Sequence, residues 1–137
     1  MSKEIERKFM VANDSWKEFI HHSTNLRDGL LAFYDGRKIR VRFYDSKATL
    51  TVKGPRKGLS RDEFEYEIPA SDGLELLERH CKGEVLEKTR HHIFSCGREW
   101  IVDEYHGILE GIVLAEVELE SETDVLVKPI WVGQEVS

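Results

Sequence analysis

Stretch after stretch of this sequence alternates charged and apolar residues with a period of two, and the charges within a stretch tend to share one sign. The first is Glu4-Ile5-Glu6-Arg7-Lys8-Phe9, which sets Glu4, Glu6 and Lys8 on one face of an extended strand and Ile5 and Phe9 on the other. Glu63, Glu65 and Glu67 alternate with Phe64, Tyr66 and Ile68, and Glu116, Glu118 and Glu120 alternate with Ala115, Val117 and Leu119. Lys38, Arg40 and Arg42 alternate with Ile39, Val41 and Phe43, while Lys88 and Arg90 form a shorter basic file. Any one of these strands could simply show its charges to water, as antiparallel sheets commonly do. Files of like charge are costly on a solvated face, however, and their recurrence calls for something that offsets the repulsion.

With 137 residues the chain is expected to be one domain, residues 1–137, with room for a proper core. Its net charge of −6 argues against general binding to nucleic acid or to an anionic membrane. No apolar run reaches membrane-span length and the N-terminus lacks a signal-peptide layout. Cys81 and Cys96 show no Cys-x-x-Cys spacing, which suits a reducing cytoplasm better than a disulfide frame or a zinc site.

Taken in order, the first strand is followed by a helix start at Asn13-Asp14-Ser15-Trp16, with Ser15 and Glu18 at capping-box spacing and Trp16, Phe19 and Ile20 as its apolar stripe. A strand over 28–34 turns at Asp35-Gly36 into the Lys38–Phe43 strand, and further strands are expected over 48–53 and 63–68. A second helix is predicted over 72–81, with Asp72 and Glu75 as a capping pair and Leu74, Leu77 and Glu78 on one side. Strands over 85–94, 99–103 and 113–120 complete a count of eight strands and two helices. His21-His22 and His91-His92 are adjacent pairs, which do not face one metal from a strand or helix, so they read as surface or hydrogen-bonded histidines. Trp100 and Trp131 read as packing residues and Cys81 as structural.

Antiparallel strands joined by short turns can close into a barrel and so remove their edges. Eight strands leave an interior filled by side chains or wide enough for one small ligand. If the charged files point inward, the contents must be a cation together with a polyanion, and the apolar outer faces need the helices and loops as cover. The fold class expected is therefore mainly β (α+β), an eight-stranded antiparallel closed barrel with flanking helices.

These residues resemble the CYTH domain, or triphosphate tunnel metalloenzyme, superfamily over essentially the whole chain. The resemblance rests on Glu4-x-Glu6-x-Lys8, Arg40-x-Arg42, Thr51-Val52-Lys53-Gly54, the stretch Glu63 to Pro69, Lys88-Thr89-Arg90, Asp103 ahead of His106-Gly107, and Ala115-Glu116-Val117-Glu118-Leu119. It implies a tunnel that binds triphosphates with a divalent metal, most like the compact bacterial inorganic triphosphatases. The implied reaction is hydrolysis of a triphosphate, inorganic triphosphate first, with nucleoside or thiamine triphosphate as other substrates. The implied metal ligands, for Mg²⁺ or Mn²⁺, are Glu4, Glu6, Glu65, Glu67, Glu116 and Glu118. Lys8, Arg40, Arg42, Lys53, Lys88 and Arg90 would grip the phosphates, and Lys8, Glu65, Glu67 and Lys88 would act on the reacting groups. The partner expected is a small-molecule triphosphate, with no nucleic acid or membrane, and self-association into a homodimer stays open. Two alternatives stand beside this: a polyphosphate- or nucleotide-binding module without turnover, and a class IV-type adenylyl cyclase. Bacterial relatives often carry Gln-Gly-Tyr where this chain has Asp28-Gly29-Leu30, so a tyrosine would be missing from the tunnel. Relatives also continue past the stretch Pro129 to Val136 into a helix that can plug one end, and a chain ending at Ser137 would leave that end open.

Overall fold

The computed structural model describes residues 3–137. Nine strands form one antiparallel sheet: β1 Lys3–Val11, β2 Ile20–Tyr34, β3 Arg37–Tyr44, β4 Lys47–Lys53, β5 Ser60–Ile68, β6 Leu86–Ser95, β7 Arg98–His106, β8 Val113–Glu118 and β9 Val132–Glu135. Their order is β5-β4-β3-β2-β6-β7-β8-β1-β9. Pairing of β5 with β1, through Lys3↔Asp62, Glu4↔Arg61 and Ile5↔Ser60, closes the first eight into a barrel. The expected eight-stranded barrel is thus present, with β9 as an extra strand beside the far half of β1.

The strands bury their apolar faces outward. One cluster joins Phe9, Ile93, Trp100, Val102, Ala115 and Val117 of β1, β6, β7 and β8 to Trp16, Leu119, Trp131 and Val132. Trp131, from the segment after β8, stands edge-on to Trp100 at 5.5 Å. A smaller cluster joins Val41, Phe43 and Ala48 to Leu77 of the helix α1, Ala70–Arg79. Because apolar burial drives folding and is used up outside the barrel, the charged files are left to the inside.

Several local expectations are corrected. Residues 13–20 do not make an α-helix: Asp14–Phe19 is a 3-10 turn capped by the Asn13 carboxamide, which accepts from the Ser15 N–H at 3.0 Å, and Ile20 already starts β2. β2 is therefore far longer than the 28–34 strand expected, and Asp28 lies in mid-strand rather than at a strand start. The helix α1 starts after Pro69 with no side-chain cap, and it packs through Gly73 and Leu77, leaving Leu74 exposed. β8 stops at Glu118, so Glu120 lies beyond it. Among the described residues no helix is long and apolar enough to cross a membrane.

Candidate functional site

Around the barrel, the inward side chains sort by charge into opposing arcs. β8, β1 and β5 are consecutive in the closed sheet and contribute Glu116 and Glu118, Glu4 and Glu6, and Glu63 and Glu65. Across from them β3 and β6, either side of β2, contribute Arg40 and Arg42, and Lys88 and Arg90. These residues, with Lys8 and Lys53, line one cavity of about 630 Å³. That is within the size range of small-molecule sites.

The basic arc is held by buried carboxylates that sequence reading did not assign to the site. Asp28 of β2 lies directly opposite Arg42 of β3, and accepts from Arg42 Nε and Nη2 at 2.6 and 2.7 Å. Asp103 of β7 lies opposite Arg90 of β6, accepts from its Nε and Nη2 at 2.9 Å each, and sits 2.8 Å from Lys88 Nζ. Only 1% of the Asp103 side chain is exposed. Burial alone would raise both carboxyls, but the guanidinium beside each wins and holds Asp28 and Asp103 below the ordinary carboxylate range. Arg42 and Arg90 are correspondingly raised, against the pull of burial. Planar two-point pairs of this kind fix the fork in orientation as well as charge. The one cue to Asp103 was its place in the family pattern; Asp28, read as the first residue of a strand, stood out only in the Asp28-Gly29-Leu30 departure from the Gln-Gly-Tyr of relatives.

Arg40 differs from its neighbours. It has no carboxylate within salt-bridge distance among the described residues, and its buried Nε has no hydrogen-bond partner. Burial, then the nearby Arg42, lowers its affinity for its own proton. A largely buried guanidinium left without an anion is a strong cue for one supplied from outside.

The acidic arc carries the converse imbalance. Glu6 stands directly opposite Glu118 in the β1–β8 register, and Lys8 opposite Glu116. Lys8 Nζ is 3.8 Å from Glu6 and 3.7 Å from Glu116. Burial, then Glu116 and Glu4, push Glu6 up to about 7. Burial, then Glu4 and Glu116, raise Glu118 too. Glu4 is also lifted by burial, yet Lys53, at 3.3 Å, brings it below its ordinary value. Lys53 reaches Glu63 at 3.3 Å as well. The donors here are all carboxylate oxygens from adjacent strands, a set that suits a hard divalent cation and would relieve the Glu6–Glu116–Glu118 repulsion. Among the described residues no three such donors already converge at coordination distance.

Glu65 lines the cavity and accepts from Thr51 Oγ1 at 3.0 Å and Tyr44 Oη at 3.1 Å. Glu67 does not: it lies outside the cavity wall, mostly exposed, 3.7 Å from Lys47. Period two carried the acidic file one residue past the rim of the barrel. Tyr105, which sequence reading also missed, lines the cavity under Lys88, whose Nζ is 5.1 Å from the ring centre. Burial, then Asp103, push the Tyr105 phenol up to about 12. Leu30 lines the cavity. The histidines do meet across strands: His21 and His92 both approach Glu99 Oε1, at 3.5 and 3.3 Å, while His91 bonds Ser23 and Glu104.

The family model for the CYTH domain matches residues 2–137. The chain belongs to the CYTH family. Over its full length this CYTH chain is 44% identical to a protein of Acetivibrio thermocellus named inorganic triphosphatase, covering 87% of that relative. Its fold matches the crystal structure of the inorganic triphosphatase NE1496 with a TM-score of 0.67 and 32% identity, over 96% of this chain and 88% of that one. A putative adenylyl cyclase from Hippeastrum, described as having a dominant triphosphatase activity, shares the fold at a TM-score of 0.63 and 17% identity, covering 88% of this chain and 80% of that one.

Proposed function

We propose that this CYTH protein hydrolyses inorganic triphosphate to orthophosphate and diphosphate in its tunnel. The observation that carries the reading is the opposition of an acidic and a basic arc across one cavity, each with charge that the protein itself leaves unbalanced. The 44% identity to an inorganic triphosphatase supports the choice of reaction.

Arg40, Arg42, Lys88 and Arg90 bind the non-bridging oxygens, with Arg40 supplying the unpaired guanidinium and Asp28 and Asp103 keeping the others aimed. Lys53 and Lys8 hold phosphoryl oxygens from the acidic side. Glu4, Glu6, Glu116 and Glu118 would hold the divalent cation, Mg²⁺ or Mn²⁺. When bound, such an ion neutralises charge on the phosphoryl oxygens and so lowers the barrier to their displacement. Glu65, fixed by Thr51 and Tyr44, is placed to orient the attacking water. Water oxygen forms the new bond to the terminal phosphorus as the bridging P–O bond breaks; the bridging oxygen leaves with the electron pair on diphosphate, and the attacking water gives up its proton to the Glu65 carboxylate, which passes it to solvent. Glu67 takes no part, since it lies outside the cavity.

A panel of inorganic triphosphate, thiamine triphosphate and ATP, with Mg²⁺, Mn²⁺ or chelator, tests this by release of phosphate and of cyclic nucleotide. The expected result is metal-dependent phosphate release, fastest from inorganic triphosphate. Binding without release, or cyclic AMP as the main product, would contradict it.

A further inference from the structure

Tyr105 stands beside the basic arc without a part in the proposed hydrolysis. Its phenol lines the cavity and is half-buried. The strand β7 sets it directly opposite Lys88 of β6, one strand period from Asp103 on the same face. The Tyr105 backbone N–H donates to the Ile112 carbonyl at 3.0 Å, which fixes this end of β7 against the chain entering β8. The hydroxyl accepts from Lys88 Nζ at 3.4 Å, and among the described residues no protein acceptor takes its own proton. Tyr44, the other tyrosine of the cavity wall, differs, since its hydroxyl donates to Glu65 at 3.1 Å.

The local charge balance explains why a phenol suits this position. Burial, then Arg42 and Arg90, hold the Lys88 ammonium below its ordinary value, even with Asp103 at 2.8 Å. One more cation here would add to that repulsion, whereas a neutral O–H adds a donor and no charge. The proton is firmly kept, because burial, then Asp103, Glu116 and Asp28, push the phenol up to about 12. At neutral pH Tyr105 therefore offers a polyanion a hydrogen bond and not a repelling phenolate. An ammonium has three N–H donors. With one on Asp103 and one toward Tyr105, the third is left for a ligand. Lys88 and Tyr105 thus set two donors side by side, 3.4 Å apart, a spacing that suits two oxygens of one phosphoryl group.

We propose that Tyr105 is a further ligand-binding residue of the tunnel, donating its O–H to an oxygen of the same phosphoryl group that Lys88 holds. This rests on the triphosphatase reading above for the identity of the ligand, and the test separates the two. The oxygen it meets carries negative charge in the bound substrate as well as in the transition state. The contact therefore tightens both alike, and its loss falls on KM rather than on kcat.

Calorimetric binding of inorganic triphosphate to the full chain in chelator, followed by phosphate release with Mg²⁺, is measured for wild type, Tyr105→Phe, Lys88→Met and the double variant. Phenylalanine keeps the ring beside Lys88, 5.1 Å from Nζ in the wild type, and removes only the hydroxyl. Tyr105→Phe is expected to bind about tenfold more weakly and to raise KM by about as much, the loss of one hydrogen bond to a charged group, with kcat within about twofold. In the Lys88→Met background the same change should cost less than about threefold, because the phosphoryl group is no longer held there. Equal affinity of wild type and Tyr105→Phe, a fall in kcat with KM unchanged, or the full tenfold loss without Lys88 overturns the contact. A tenfold loss of binding with no phosphate release from wild type supports the contact and sinks the hydrolytic reading. Unchanged binding in Tyr105→Phe beside metal-dependent release by wild type does the reverse, and no binding by wild type sinks both.

Discussion

At the scale of single residues, Asp103 shows how the fold makes room for its cations. Among the described residues it is the sole carboxylate touching both Lys88 and Arg90, and it is almost wholly buried. Removing its charge would strand two cations in a low-dielectric wall. Asp103→Asn is expected to cost about 3 kcal/mol of stability, measured by urea unfolding at neutral pH, and a loss under about 1 kcal/mol would contradict the pairing. The same pairs set a pH dependence. Asp28 and Asp103 have folded values depressed below the unfolded carboxylate value of about 3.9. The unfolded chain therefore takes up protons first as pH falls, so the stability these groups contribute is full above that value and drains away below it. Unfolding free energy should decline as pH drops below about 5, and Asp103→Asn should flatten part of that decline. These two aspartates were the least legible residues of the site. An isolated acid gives no periodic signal, whereas the glutamate and arginine files announce themselves by spacing.

At the scale of elements, the charged strands were legible because burial enforces strict alternation on them, one face to the core and the other to the tunnel. Where that constraint relaxes, the pattern fades. The first half of β2 reads His-His-Ser-Thr-Asn and pairs mainly with β6, so it carries no apolar alternation. β9 is four residues long and is recruited by β1 from the far end of the chain. The Asn13–Ile20 segment has helical apolar spacing, but Trp16 is drawn into the core and Ile20 into a strand, and only a 3-10 turn fits between them. Glycine positions show how closely α1 is seated. A Cβ on Gly73 would come within 2.6 Å of the Ala48 Cβ and 3.0 Å of the Phe43 ring. Gly73→Ala should therefore destabilise by about 1–3 kcal/mol, despite the better helix propensity of alanine, because the helix must lift off β3 and β4. A variant as stable as wild type by thermal unfolding would show that the helix has slack.

At the scale of the whole molecule, the barrel inverts the usual distribution of polarity. Its apolar faces are covered from outside by α1, the 3-10 turn and the Trp131 segment, and its charges converge within. The arcs are the consequence of strand order: β8, β1 and β5 become neighbours only when the sheet closes, which gathers six glutamates from distant parts of the sequence on one wall. Strand order cannot be read from alternation, so the sequence indicated which residues face inward but not that they separate by sign. The most direct test of that separation is phosphate release from inorganic triphosphate by Glu116→Gln and Arg40→Ala, one change on each wall, both checked for native circular dichroism. The account predicts wild-type turnover that a chelator abolishes and a fall of about 100-fold or more in each variant, the loss expected when charge stabilisation of phosphoryl transfer is removed. Turnover near the wild-type rate in either folded variant would contradict it.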